Sequence, residues 1–413
     1  MSASITAKYA VRSLFRHTRR TLLSVAGIGL GCAVCLLMVS FVRGEGEMMM
    51  RAAAESGTGH LRAVPGDFVR TGEKSLRLLG WEVLVRRRRT ESSFRAVAPR
   101  ARVDGLLAFG TRSVGVEMAG VDPAEEPKLN RLVRRVVEGR YLRAGDTGAV
   151  VVGQAIARRL RVEVDDDLMV TVSGFDGEMR SGMLRIVGLV STGSRELDAA
   201  LCQTTLEEVE KLTGFEGASE IAMLLNDPHR LAETAAALRQ ELPAGAALQT
   251  WAEVFPEMES GVQVDETWTG LMVGLVVIVV FLGVASAQLA AVLERRKEFA
   301  VLAALGMRGA RLVRIMILEG VVLGGAGGLL ALLLGLPLSY LMATRGIDFS
   351  RMYGEADLSM SNILIDPVLY GDFGWWLVPL ALGLSLSATI LSALYPAWYA
   401  QATDPASALR VEQ

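Results

Sequence analysis

The stretch ERRKEFAVLAALGMRGARLVR, residues 294–314, stands between two of the most apolar segments of the chain. Before it runs VGLVVIVVFLGVASAQLAAVL (273–293), and after it runs GVVLGGAGGLLALLLGL (320–336). A bland connector would not need so much patterning. On a helix from Arg295 to Leu305, the residues Phe299, Leu302 and Leu305 recur every third position and line one side, while Ala303 and Gly306 keep the neighbouring surface shallow. Gly306 can end that helix, Gly309 permits a tight reversal, and Arg311 begins the return into the next apolar run. The pattern predicts a short amphipathic helix on one membrane face, and the same pattern also fits a helix lying in the interface.

Working outward, four segments contain no Asp, Glu, Lys or Arg: Thr21 to Val42, Thr267 to Leu293, Gly320 to Thr344, and Phe373 to Ala400. Each exceeds the roughly 20 residues that a helix needs to cross a hydrocarbon core, and in lipid a helix satisfies its own backbone. The chain therefore reads as a membrane α-helical protein with four transmembrane helices and a large α+β extracytoplasmic domain inserted between helices 1 and 2. Its 413 residues carry a formal net charge of −2 and are 51% hydrophobic, which gives no footprint for nucleic acid or for an acidic substrate. The N-terminal basic stretch is too long and lacks the small-residue cleavage site of a secretory signal, so the first span reads as a retained helix.

Orientation follows from the flanks. Five Lys/Arg precede the first span, six lie between the second and third, and two lie between the third and fourth against five acids. The expected layout is a cytoplasmic N-terminal segment (1–20), transmembrane helix 1 (21–42), an external domain (43–266), transmembrane helix 2 (267–293), a cytoplasmic loop (294–314), transmembrane helix 3 (315–344), a short external loop (345–372), transmembrane helix 4 (373–397) and a cytoplasmic tail (398–413). Cys32 and Cys35 fall within the first span and Cys202 has no partner in the external domain, so no disulfide framework is expected. C-x-x-C inside a membrane helix reads as packing.

Within the external domain AVVVG (149–153) reads as a buried strand, QAIARRLRV as a helix, and LMVTVSG (168–174) with LRIVGLV (184–190) as a strand pair across a turn. TTLEEVEKLTG reads as a helix with Thr205 and Glu208 spaced as a capping box and Gly214 as its stop. IAMLLND follows as a strand, then PHRLAETAAALRQEL as a helix capped by Asp227 with Pro228 at its first position. The VRRRR run (85–89) reads as a solvated face or edge.

Catalytic signatures are missing. His60 and His229 lie far apart without metal-binding spacing, no G-x-S-x-G elbow occurs, and no Gly-Lys dipeptide exists to build a Walker A loop. No enzyme activity, no metal and no cofactor are expected in this chain. The glycines at 320, 324 and 328 read as small-xxx-small helix packing.

Here the residues carry a resemblance. ERRKEFAVLAALGMRGARLVRIMILEG resembles the loop between the second and third spans of the permease family that includes MacB-type efflux pumps, FtsX-type division proteins and the lipoprotein-releasing (Lol) permeases. AVRSLFRHTRRTLLSVAGIGLGCAV resembles the first span of that family, and LYPAWYAQATDPASALR resembles its terminal signature. GRYLRAGDTGAVVVGQAIARRLRVEVDD resembles the external core domain, and VEMAGVDPAEE (116–126) is similar to the Lol branch. The match covers nearly the whole chain.

The resemblance implies a mechanotransmission ABC permease of the bacterial inner membrane, whose cytoplasmic loop is a coupling helix docking on a separate ATPase present in two copies. ATP and Mg would be bound by that ATPase. The coupling residues are then Glu298, Phe299, Leu302, Leu305, Gly306 and Met307. A second permease, identical or homologous, would complete the complex, with membrane lipid and a periplasmic lipoprotein chaperone or adaptor as further partners and no nucleic acid. The implied activity is release of lipoproteins or other amphiphiles. The alternatives are an FtsX-like scaffold activating a periplasmic partner and a MacB-like efflux permease. A lipid cavity between the first two spans would be lined by Met38, Phe41, Val42, Met48 and Met49, with Trp268 and Leu271 facing them, since methionine suits acyl chains of variable length. Glu319 sits about one and a half turns inside the membrane boundary, where an acid needs a partner; a basic residue from the N-terminal segment or the coupling loop is expected. The turn SGFDGEMRSG (173–182) is shorter than the chaperone-capturing loop of one Lol subunit, and the sequence carries no fused ATPase.

Overall fold

The structure, a computed structural model, describes residues 18–78, 80–174, 177–294, 309–350, 359–360 and 363–402. Four of its helices are long and apolar enough to cross a membrane. The first, Thr18–Ala54, has 37 residues and the second, Pro256–Glu294, has 39. The third is Gly309–Arg345, with Pro337 inside it, and the fourth is Leu377–Ala402, with Pro396 inside it. The chain divides into a membrane unit (residues through Gly46, Val262–Ile347, and Leu369 onward) and an external unit (Glu47–Gly261 and Asp348–Val368).

In the membrane unit, glycines set how closely the helices approach. A Cβ on Gly29 would meet the Leu330 side chain, one on Gly327 would meet Ile28, and one on Gly335 would meet Leu36. The offset between partners is nearly constant, so the first and third helices run parallel. Gly31 faces Val276 and Val280, whereas Gly46 faces Val262, which makes the first and second helices antiparallel. Gly320, Gly324 and Gly328 meet Thr389, Ser385 and Leu382 of the fourth helix, as the small-residue spacing predicts. In lipid, apolar burial gives little reason for helices to associate, so this close backbone approach supplies the contact.

The external unit is built on a ten-stranded mixed sheet of order β10-β1-β9-β2-β3-β8-β5-β7-β4, with β6 paired to β2 and β7. The strands are β1 Leu61–Pro65, β2 Phe94–Phe109, β3 Arg112–Val121, β4 Val136–Gly139, β5 Ala149–Gly153, β6 Asp167–Ser173, β7 Met179–Val190, β8 Cys202–Thr205, β9 Glu220–Leu225 and β10 Ala246–Thr250. One edge of β2 pairs with β3 from Arg100 to Phe109. Its other edge pairs first with β9, over Phe94 to Arg100, and then with β6, over Gly105 to Ala108. The sheet therefore forks at Arg100 to Gly105. One apolar core lies on each side of the fork: Leu107, Val150, Leu160, Leu168, Leu184 and Ile186 on one, and Leu61, Val97, Ile221, Met223 and Leu238 on the other.

Several local expectations change in detail. Thr205 caps its helix by accepting from Glu208 N, but the Glu208 carboxylate accepts from Gly148 N instead of closing a capping box. A complete box forms at Thr250 and Glu253. Asp227 caps as read, accepting from His229 N, although the first turn is 3-10 (Pro228–Arg230) before the α-helix Leu231–Glu241 begins. The arginine run is exposed at Arg86, Arg87 and Arg89, as read, and among its arginines only Arg88 turns inward. Arg88 is buried and bridges Glu91 and Glu241, Arg87 also reaches Glu241, and Arg89 reaches Asp122.

Candidate functional site

Among the described residues, two ion pairs that join distant segments of the membrane unit lie near helix ends. At the outer end of the first helix, Ser40 Oγ donates to Asp372 O at 2.7 Å, and Asp372 N donates back to Ser40 O at 2.9 Å. One turn on, the Arg43 guanidinium lies 4.1 Å above the Trp376 ring and 3.8 Å from the Asp372 carboxylate. Gly44 lets the Tyr370 backbone approach so closely that any Cβ there would collide with its carbonyl. The first helix is thus stapled to the segment that leads into the fourth. Arg43 and Trp376 have the composition of an interfacial anchor, which the sequence reading did not single out. At the inner end, Arg20 Nη1, half-buried, lies 3.2 Å from Oε2 of the exposed Glu294, tying the first helix to the second. Val292, Met316 and the adjoining Val313 pack together there, joining the second helix to the third.

One face of the second helix is apolar and exposed among the described residues. Val264, Trp268, Leu271, Leu275, Ile278 and Leu282 recur at spacings of four and three, and each is more than half exposed. Trp268 and Leu271 therefore stand on a lipid- or partner-facing stripe. The antiparallel register defined by Gly31 with Val276 and Val280, and by Gly46 with Val262, puts Met38 level with Leu271 and Phe41 level with Trp268. Met38, Phe41, Val42 and Met48 are half-buried. In the external unit, Met49 packs beside Ala52, Ala53, Met258 and Ile363. Glu298, Phe299, Leu302, Leu305, Gly306 and Met307 lie outside the described residues. Glu319 is engaged in this structure.

The fork of the external sheet holds a buried charge network that sequence reading missed. Arg100, 3% exposed, makes a bidentate contact with Glu126, 0% exposed, at 2.6–2.9 Å. Glu126 also accepts from Asn130 and Gln203, and Gln203 accepts from the Tyr141 hydroxyl. Arg102 reaches Glu220 at 2.9 Å and Glu117 at 2.6 Å, while Arg62 reaches Glu220 at 3.2 Å. Burial pushes the Glu220 carboxyl up, but Arg102, Arg62 and Arg100 together pull it down to about 2. At the fork the Arg102 N–H has no strand partner on that edge and donates to Ser219 Oγ. Where neighbouring strands part, the Ser219 hydroxyl stands in for a ladder partner, accepting from Arg102 N and donating to Arg100 O. A 670 Å³ cleft opens beside this network, lined by Arg100, Arg102, Asn130, Leu197 and Leu201.

His60 and His229 line one 270 Å³ cavity with Glu47, Glu55 and Arg95. Burial lowers the His60 pKa to about 4, so its ring is neutral and Nδ1 accepts from Leu225 N at 3.0 Å. Among the described residues no group of three or more His, Cys, Asp or Glu side chains is placed to hold a metal.

Residues 21–241 match the MacB-like periplasmic core domain, which is more than half of the chain, and residues 270–405 match the FtsX-like permease C-terminal domain. The chain belongs to this permease family. It is an ABC transporter permease with both domains in the family order. The permease is 25% identical over 401 residues to the lipoprotein-releasing system transmembrane protein LolE of Haemophilus influenzae, covering 94% of this chain and 93% of that one. It is likewise 25% identical over 409 residues to LolC of Neisseria meningitidis, covering 95% and 94%. To the macrolide export ATP-binding/permease protein MacB of Hyphomonas neptunium it is 24% identical over 381 residues, covering 88% of this chain and 57% of that one. The permease is a multi-pass inner-membrane protein, and the long uncovered stripe on its second helix agrees with that setting.

Proposed function

We propose that the permease works as one of two membrane subunits, identical or homologous, in a complex with two copies of a separate ABC ATPase that holds ATP and Mg, and that it takes a lipoprotein or similar amphiphile from the outer leaflet of the inner membrane. The termini and the 294–314 loop face the cytoplasm. The observation that carries the reading is the length of the first two helices. At 1.5 Å per residue, 37 and 39 residues extend well beyond a hydrocarbon core of ~30 Å, so each continues as a rigid rod past the membrane. Such rods can convey ATP-driven closure at their inner ends to an external domain. The relatives named as lipoprotein-releasing proteins, which align end to end with this chain, support the choice of cargo.

The test is purification of the tagged chain from its own membranes in lipid nanodiscs, with mass spectrometry of proteins and acylated species. Recovery of an ABC ATPase at about one copy per permease, with bound triacyl or diacyl protein, is expected. A stoichiometric cell-wall hydrolase without acylated cargo would replace release with activation of a periplasmic partner. Recovery without any ATPase would overturn the proposal.

A further inference from the structure

Gln288 lies in the second membrane helix, six residues from its inner end at Glu294, and is 7% exposed. Neither its amide nitrogen nor its amide oxygen has a hydrogen-bond partner among the described residues. In an apolar helix bundle this is costly, because an amide desolvated without compensation loses on the order of 1–3 kcal/mol and leucine would fill the same place without that loss. The small polar groups of the fourth helix are handled differently. On the fourth helix Ser385, Thr389 and Ser392 each donate to a carbonyl of their own helix. Gln288 is too long to satisfy itself in that way.

The position of the amide points to its partner. Val292 of the second helix packs with Met316 and Val313 of the third. Gln288 is four residues before Val292 and Glu319 is three after Met316, so each lies on the same face as its contact residue and one turn further into the membrane. Because the second helix enters the cytoplasmic loop and the third leaves it, the two are antiparallel, and Gln288 and Glu319 occupy the same level. In this structure Glu319 is engaged and Gln288 is not.

We infer that Gln288 and Glu319 form a polar latch between the second and third helices, open in the state described here and closed when the inner ends of the helices move. The latch positions the helices during energy coupling; neither residue touches nucleotide or cargo. In the closed state the Gln288 Nε2–H donates to the Glu319 carboxylate, which exchanges its present contact for this one. The inference rests on the proposed coupling to an ATPase. It adds a reason for Gln288 to persist where leucine would pack better, since a group that is strained in one state and satisfied in another biases the equilibrium between them.

Two measurements test it on the full complex in nanodiscs. Gln288→Leu should raise the unfolding midpoint of the nucleotide-free permease by ~2–4 °C and lower ATP turnover by about tenfold, with the ATPase still copurifying, because ~1.4 kcal/mol of differential stabilisation is one decade. A merely structural amide would move the midpoint down and leave turnover unchanged, and that result would overturn the latch. The second uses Gln288→Cys with Glu319→Cys in a background where Cys32, Cys35 and Cys202 are replaced. Oxidation should give several-fold more intramolecular disulfide in the vanadate-trapped complex than without nucleotide. Equal yields in both states, or none in either, would also overturn it. Loss of the ATPase from the wild-type complex would count against the proposed function and is read separately from these outcomes.

Discussion

Leu302→Asp is expected to abolish copurification of the ATPase and to reduce transport to background. On the amphipathic helix read from sequence, Phe299, Leu302 and Leu305 form a single stripe, and Leu302 is its centre. A residue at the middle of a small docking surface is desolvated by the partner, whereas flanking arginines such as Arg295 and Arg296 chiefly steer the encounter. Placing a carboxylate in an apolar cleft costs several kcal/mol, which exceeds what so short a contact can lose and still hold. Arg296→Ala should slow association at low salt yet leave the complex isolable. Wild-type recovery of the ATPase with Leu302→Asp would remove these residues from the coupling surface.

The second large effect lies in the external unit, at the fork of its sheet. Arg100→Ala leaves Glu126 buried with its charge uncompensated, a change worth about 3–5 kcal/mol. The unfolding midpoint of the purified permease should fall by ~10 °C. Arg100→Met combined with Glu126→Met should recover part of that loss, because no lone buried charge is left, although the Asn130 and Gln203 amides lose their acceptor. An unchanged midpoint in Arg100→Ala would mean that the network contributes nothing to stability.

Acid should act on the same unit through two groups. Glu220 has a folded pKa of about 2, below its unfolded value, so its contribution is complete above about pH 4.5 and is lost as pH falls towards 2. His60 is depressed to about 4, so the unfolded chain takes up a proton below about pH 6.5 that the folded chain refuses until pH 4. Stability therefore drops first between pH 6.5 and 4 through His60, by about 3 kcal/mol, and then further through Glu220. Thermal midpoints at pH 7.5, 4.5 and 2.5 separate most of the His60 loss from most of the Glu220 loss.

How much of this was legible beforehand follows from the range of the interactions. The spans were readable because a charge-free run needs no partner to declare itself, and the caps at Thr205 and Asp227 because they act within three residues. Gly320, Gly324 and Gly328 were readable from spacing alone. The fork was not. Phe94–Phe109 is a single 16-residue strand whose alternation is interrupted by Arg100 and Arg102, and those charges make sense only beside Glu126 and Glu220, which come 26 residues and more than a hundred residues later. The exposed face of the arginine run was legible, but the inward turn of Arg88 was not, since its partner Glu241 lies 153 residues away. The proposed coupling stripe and cargo-facing residues depend on partners outside the chain, which sequence spacing does not show.

The most direct measurement is site-specific photo-crosslinking from Met38, Phe41 and Leu271 in the intact complex. Met38 and Leu271 lie at one level, and Phe41 lies one turn outward on the first helix. If the permease lifts an amphiphile from the outer leaflet in an ATP-driven stroke, all three positions capture acylated cargo before ATP is added and lose it after hydrolysis. Crosslinks that stay within the protein, with yields unaffected by nucleotide while transport proceeds, would contradict that mechanism and return these residues to helix packing.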